Sequence, residues 1–352
     1  MTSFFNFTEA GLTTRLCLPV LLSFCISIQA GDLAIDTRTD FHAYSCGTSR
    51  VQNLTRVFLS QAFENGFSQL TLKNHYLRDT ESFSIDRAFV ELYHDRLTFS
   101  IGKQRIYWGC GQVFNYADIF NTIDPTRPSE EKDGVKSVMV RYNPDATSRV
   151  ELACSDQDTV PGNSALRWTF TSHGWEFMLN ALKVHRDMSA YFPGLYSSSQ
   201  DLVAEVKGGI GCGIWATVDF RSSSLNRPIP VASPLPADNR LYTMGLDYTF
   251  TTHGHNLYTM LEASYDSDLD SRSWYFSHRL DLSDVLFFSQ SLYKDERSGL
   301  RFLGNALDYA YSDIVSLRLE LNAFDGGSAT AGLAGFDPDL DREIKFSVRA
   351  VF

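Results

Sequence analysis

From residue 33 onward the chain alternates apolar and polar side chains in short bursts. Over 242–250, Tyr242, Met244, Leu246, Tyr248 and Phe250 alternate with Thr243, Gly245, Asp247 and Thr249. Over 315–323, Val315, Leu317, Leu319, Leu321 and Ala323 alternate with Ser316, Arg318, Glu320 and Asn322. Weaker versions recur at Leu97/Phe99/Ile101, Val138/Val140/Tyr142, Leu202/Ala204/Val206 and Ile214/Ala216/Val218/Phe220. Period two is the signature of a strand with two unlike faces. No segment sustains a helical period. The pattern predicts eighteen strands: 33–44, 52–63, 67–78, 83–93, 96–108, 135–142, 148–154, 164–171, 175–185, 199–206, 211–221, 240–250, 255–265, 272–281, 285–294, 299–309, 314–324 and 342–352. Strand 52–63 is the weakest, and sixteen strands is the alternative count.

The connections supply an independent test. Counted back from residue 352, alternate links are short: Ser312-Asp313, Thr252-His253-Gly254, Gly208-Gly209, Ser172-His173-Gly174, Asn143-Pro144-Asp145 and His94-Asp95 among them. The other set contains every long link: 109–134, 155–163, 186–198, 222–239 and 325–341. A soluble sandwich has no reason to sort its loops by parity. An antiparallel up-and-down barrel in a membrane does so, with short turns at one rim and long loops at the other. Strands in lipid must satisfy every backbone N–H and C=O, so the sheet has to close. Closure at this strand number leaves an aqueous lumen. Parity points Lys73, Arg87, Arg141, Arg149, Arg167, Arg318, Lys345 and Arg349 inward, with Glu91, Glu151, Glu205, Asp219, Glu262, Glu320 and Glu343. The signs nearly balance, so these residues are expected to form salt-bridge ladders with no strong ion selectivity.

Composition agrees with strands in a membrane. The chain carries 26 Phe, 16 Tyr and 5 Trp, yet only 43% of its residues are hydrophobic. The one long apolar run, 16–30, follows Arg15 and closes on Gln29-Ala30-Gly31. That order is a secretory signal, and the run is short of the about 20 residues that span a bilayer. Residues 1–30 are therefore expected to be a signal peptide and 31–352 one barrel domain. A formal net charge of −11 argues against nucleic-acid partners. Cys46, Cys110, Cys154 and Cys212 follow the signal with no zinc spacing and no haem-attachment motif, and their pairing stays open. No cofactor, metal site or catalytic motif is expected. His253-Gly254-His255 reads as a polar turn. Asp325, Asp337, Asp339 and Asp341 read as a solvated loop, a Ca²⁺ site or a divalent-bridged contact with lipopolysaccharide.

Two segments carry resemblances. In the last strand Ile344, Phe346, Val348, Ala350 and Phe352 oppose Glu343, Lys345, Ser347 and Arg349. It resembles the closing strand of bacterial outer-membrane barrels. That resemblance implies an outer-membrane location, surrounding lipid and lipopolysaccharide, and Phe352 as the signal read by the barrel-assembly machinery. The second segment is Gly102-Lys103-Gln104-Arg105-Ile106-Tyr107-Trp108-Gly109, followed by Asn115, Asp118, Asn121 and Asp124-Pro125. With Arg87 to Tyr93 before it, it resembles a group of porin-like outer-membrane proteins over residues 83–134. It departs from them at Thr122, where that group often has Pro. The resemblance implies a channel or export barrel and names no substrate.

Between Gly109 and Gly134 the loop has its own apolar residues, Val113, Phe114, Ile119, Phe120 and Ile123. A loop with its own hydrophobes packs on something. Inside a barrel it would be an inward-folded constriction. Asp118, Asp124, Arg127, Glu130, Glu131 and Lys132, with Asp133, are the candidate constriction residues, because charged rings are the usual filter. Asn115 and Asn121 read better as pins that cap the loop, and Trp108 as an interfacial girdle residue. The leading reading is a porin-like channel, not an enzyme, for passive diffusion of small hydrophilic solutes. A homotrimer is one assembly open to it. A scaffold barrel serving a partner protein or exporter is the second reading, and an outer-membrane hydrolase the third.

Overall fold

A computed structural model describes residues 32–44, 49–77, 80–120, 134–156, 161–187, 196–225, 238–252, 254–325 and 342–351. Residues 1–30, expected from the sequence to be a signal peptide, and Phe352 lie outside them. Eighteen strands follow in order. They are β1 (Asp32–Tyr44), β2 (Ser49–Phe63), β3 (Gly66–Leu77), β4 (Thr80–His94), β5 (Leu97–Gln104) and β6 (Val135–Tyr142). Next come β7 (Ser148–Ser155), β8 (Ser164–Ser172), β9 (Trp175–Asp187), β10 (Tyr196–Gly209), β11 (Gly213–Leu225) and β12 (Asp238–Thr252). The last are β13 (His255–Asp266), β14 (Ser271–Asp281), β15 (Leu286–Asp295), β16 (Arg301–Ala310), β17 (Val315–Asp325) and β18 (Arg342–Val351).

Each strand pairs antiparallel with its sequence neighbours, and β1 pairs with both β2 and β18. The sheet is a closed, eighteen-stranded up-and-down barrel, and the count of sixteen falls away. At the seam Arg349 grips Asp36 with two bonds, Nε–Oδ1 and Nη2–Oδ2, each 2.9 Å. Beside it Lys345 reaches Asp40 at 3.7 Å and Glu320 at 3.8 Å. Links at the rim holding the β2–β3 and β16–β17 turns have at most five residues, as at 143–147 between β6 and β7. The long links, 105–134 and 326–341 among them, join strand ends at the other rim.

The barrel is inside-out relative to a soluble protein. In β18, Ile344 is 51% exposed, whereas Glu343, Lys345 and Ser347 are buried. In β10, Leu202 and in β12, Met244 face out, while Asp201, Glu205 and Thr243 are buried. Apolar side chains turned outward and polar ones turned inward suit a lipid exterior and a wet interior. One outward row breaks the rule. His278, Gln290 and Asn305 oppose one another across β14–β16, and Gln290 Nε2 donates to Asn305 Oδ1 at 2.7 Å.

Two local departures from simple alternation shape the interior. A bulge opposite Thr71/Leu72 inserts one extra residue in β4, so Asp86 as well as Arg87 leaves the outward face. The other is at β5, which ends at Gln104 rather than at 108. Gly102 there has φ +129, and a Cβ would come within 2.1 Å of the Ala88 carbonyl oxygen. Beyond it odd positions still face out and even ones in, but the apolar residues change sides: Phe99 and Ile101 are exposed, while Ile106 and Trp108 are buried.

Candidate functional site: a loop seated across the barrel

The described part of the long loop, 105–120, packs against the inner wall in two apolar clusters. Ile106, Trp108, Ala117 and Phe120 bury against Met139 of β6, Ala153 of β7, Ala165 of β8, Leu182 of β9 and Val203 of β10. Cys110 and Val113, with Phe114, pack on Met178, Trp215, Met260 and Tyr275 of β9, β11, β13 and β14, and on Tyr293 of β15. Trp108 meets Phe120 edge-to-face at 5.7 Å, and the Arg167 guanidinium lies 5.8 Å from its centroid. Trp108 is thus an interior anchor of the loop, not a girdle residue, because its even position falls on the inner face, as Ser100 and Gln104 do.

Polar groups fix the register of this seat. The Glu262 carboxylate accepts from the Val113 N–H at 2.8 Å and the Gln112 N–H at 3.2 Å. Its other oxygen accepts from Trp215 Nε1 at 3.3 Å. Glu205 accepts from the Cys110 N–H at 2.9 Å and from Asn180 Nδ2 at 2.9 Å. Tyr116 and Ser264 share a hydroxyl contact. Asn163 donates to the Ile119 carbonyl at 3.1 Å. Gly111 is required by the close approach: a Cβ there would meet the Phe114 carbonyl at 2.2 Å and Glu262 Oε1 at 2.9 Å. Within the loop, Asn115 donates to the Trp108 carbonyl at 2.7 Å and accepts from the Asp118 N–H at 3.3 Å. Burial, with the Glu205 carboxylate close by, pushes the Cys110 thiol up to about 12, and burial also raises the Tyr116 phenol.

Where the loop leaves β5, three arginines surround a buried carboxylate. Asp86 Oδ2 lies 3.2 Å from Arg105 Nη2, 3.9 Å from Arg87 Nε and 4.0 Å from Arg56 Nε. Its other oxygen accepts from the Gly134 N–H at 3.4 Å, so Asp86 holds both ends of the loop. Toward the short-turn rim, a cavity of about 290 Å³ opens between loop and wall. Arg105, Arg141, Arg149, Arg167, Glu151, Ile106 and Trp108 line it. Arg141 is matched by Glu151 at 2.9 Å. Arg149 has Glu176 at 3.9 Å. Arg167 is buried and has no carboxylate within ion-pair distance among the described residues. Higher on the wall, Arg221 bonds Asp219 at 2.8 Å and Asp201 at 3.1 Å.

Of the residues proposed from sequence as the constriction, Asp118 is buried, 4% exposed. Asp124, Arg127, Glu130, Glu131, Lys132 and Asp133 lie outside the described residues, as does Asn121. The expected inward residues are placed as follows. Lys73 stands opposite Arg56, and Glu91 opposite Ser100. Arg87 borders Asp86, and Arg141 pairs with Glu151. Arg318 bonds Asp308 at 3.2 Å and Glu320 at 2.5 Å. Sequence reading put Glu205 and Glu262 on the inner face without their role as loop anchors, and it missed Asp86. Among the described residues no group of three or more His, Cys, Asp or Glu is placed to hold a metal ion.

No known family matches the chain in sequence, and no curated protein does. Solved structures do match in shape. Wzi of Escherichia coli, an outer-membrane protein involved in group 1 capsule assembly and described as a carbohydrate-binding β-barrel, superposes with TM-score 0.62. It is 12% identical, over 92% of this chain and 85% of Wzi. OccK11 (OpdR) of Pseudomonas aeruginosa gives TM-score 0.62 at 9% identity, over 91% of this chain and 95% of its own. OccAB3 of Acinetobacter baumannii gives 0.60 at 9% identity, over 91% and 98%. The chain shares the porin-like barrel fold of these proteins. Identities this low establish the fold and nothing finer.

Proposed function

We propose that this protein resides in the bacterial outer membrane and is a porin-like channel for passive diffusion of small hydrophilic solutes. The observation that carries the reading is the apolar loop seated across a polar-walled barrel, with a solvent cavity left beside it. Such an arrangement sorts solutes by size and by the field at a narrowing, without chemistry. The cavity adds a preference absent from the sequence reading. Four guanidinium groups and one carboxylate line it, so a solute with negative charge is held there better than a positive one. A sheath for a partner protein would need the lumen free, and the seated loop speaks against that reading.

The test is single-channel conductance of the refolded protein in a planar bilayer, wild type against a deletion of 113–131. The channel reading expects discrete ohmic steps that grow on deletion. Conduction only after deletion would replace it with a plugged, partner-gated barrel. Silence in both, with barrels shown folded by heat-modifiable migration, would refute it.

A further inference from the structure

The outward wall of β14–β17 carries a groove of about 450 Å³ below a charged row. Register sets the row: Trp274 stands opposite Lys294, Lys294 opposite Arg301, and Arg301 opposite Asp325. One step toward the short-turn rim, Phe276, Leu292, Leu303 and Ala323 follow in the same order. Both rows face outward, since Trp274 and Leu292 are exposed there. Ala323, short beside Leu303, leaves the concavity. Asp325 is the last residue of β17 and Arg301 the first of β16, so the charged row lies at the long-loop rim.

Like charges directly opposite on neighbouring strands repel. The available carboxylates offset this only weakly. Lys294 reaches Glu296 at 3.6 Å and Arg301 reaches Asp325 at 3.9 Å, and all four side chains are well exposed. Exposed pairs of that kind contribute little. The row is therefore two adjacent cations at the head of an apolar trough, flanked by an interfacial tryptophan. A free phosphate would use the cations and ignore the trough. A neutral acyl chain would use the trough and ignore the cations. An amphiphile with an anionic head uses both.

We propose that this groove is a binding site for a phosphorylated lipid of the outer leaflet. Its phosphate bridges Lys294 and Arg301, and its acyl chain lies along Phe276, Leu292, Leu303 and Ala323. The proposal rests on the outer-membrane reading above. The test titrates detergent-purified full-length protein with bisphosphorylated lipid A, read by native mass spectrometry. Wild type is expected to retain the lipid, and Lys294→Ala with Arg301→Ala to weaken binding about thirtyfold, from two cations near an anionic lipid surface. Lys294→Arg with Arg301→Lys should preserve binding, which separates lost charge from lost structure. Equal binding by the alanine double variant would overturn the site. So would full competition by excess inorganic phosphate, which would mean a phosphate site, or equal retention of phosphatidylethanolamine. Conductance of the same preparations separates the two readings. Variants that conduct like wild type while lipid binding is unchanged leave the channel standing and remove only the lipid site.

Discussion

Glu262 is the residue on which the seating of the loop depends most directly. Its carboxylate accepts two backbone N–H groups of the loop, from Gln112 and Val113, and ties them to Trp215 on the wall. Glu262→Gln keeps the shape but replaces one acceptor oxygen with an amide NH₂ and removes the charge. Hydrogen bonds to a charged group contribute about 1.5–3 kcal/mol each, and a buried donor left without a partner costs about 1–3 kcal/mol. The substitution should therefore weaken the seat by about 3 kcal/mol, more than a hundredfold in the ratio of seated to released loop. Glu205, Ser264 and Asn163 still hold the neighbouring residues, so the loop stays seated most of the time. Single-channel recording should show brief excursions to a larger conductance, many times more frequent than in wild type. Glu320→Gln, which removes an inner-wall carboxylate bonded to Arg318 rather than to the loop, should not produce them. If Glu262→Gln gives the wild-type distribution of conductance levels with a folded barrel, the loop is not held in the way described.

Four further outcomes follow from the geometry. Asp86→Asn removes the carboxylate set among Arg56, Arg87 and Arg105 and should cost about 3 kcal/mol, read as a lower temperature for the heat-modifiable migration shift. Arg167→Gln removes the buried cation beside the cavity and should lower the anion-to-cation permeability ratio, measured as the reversal potential in a salt gradient. With the Cys110 thiol raised to about 12, the reactive thiolate is withheld at pH 9. In single-cysteine variants a maleimide should label Cys212, in a turn, and spare Cys110 until the barrel is unfolded. Well below its ordinary value of 9.0 the Cys110 thiol is neutral both folded and unfolded; as pH rises through 9.0 toward 12 the unfolded chain loses this proton first, so stability falls over that range. Gln290→Leu with Asn305→Leu places apolar groups in the outward polar row and should stabilise the barrel in lipid by up to about 2 kcal/mol, read by the same migration assay.

The barrel was legible because its two signals are local and repeated. Alternation such as that of 315–323 names the faces, and the sorting of long and short links fixes which strands share a rim. The site was legible only in outline. That the loop enters the lumen could be read from its own hydrophobes. Its anchors could not, because Glu262 lies 149 positions from Val113 and only the path of the loop brings them together. Asp86 escaped for a different reason. A bulge moves it off the outward face, and a strict period of two has no means of announcing an extra residue. Trp108 did leave a trace. The apolar positions pass from odd at Phe99 and Ile101 to even at Ile106 and Trp108, and that change of phase marks where the wall ends and the inward path begins.

The seat also dictates an order of events in building the barrel. The loop departs after β5, yet it rests on strands from β6 to β15, all of which come later in the chain. Until β15 has joined the sheet the seat is incomplete, and the loop has only part of its resting place. The clasp of Arg349 on Asp36 joins the last strand to the first and closes the wall around that seat.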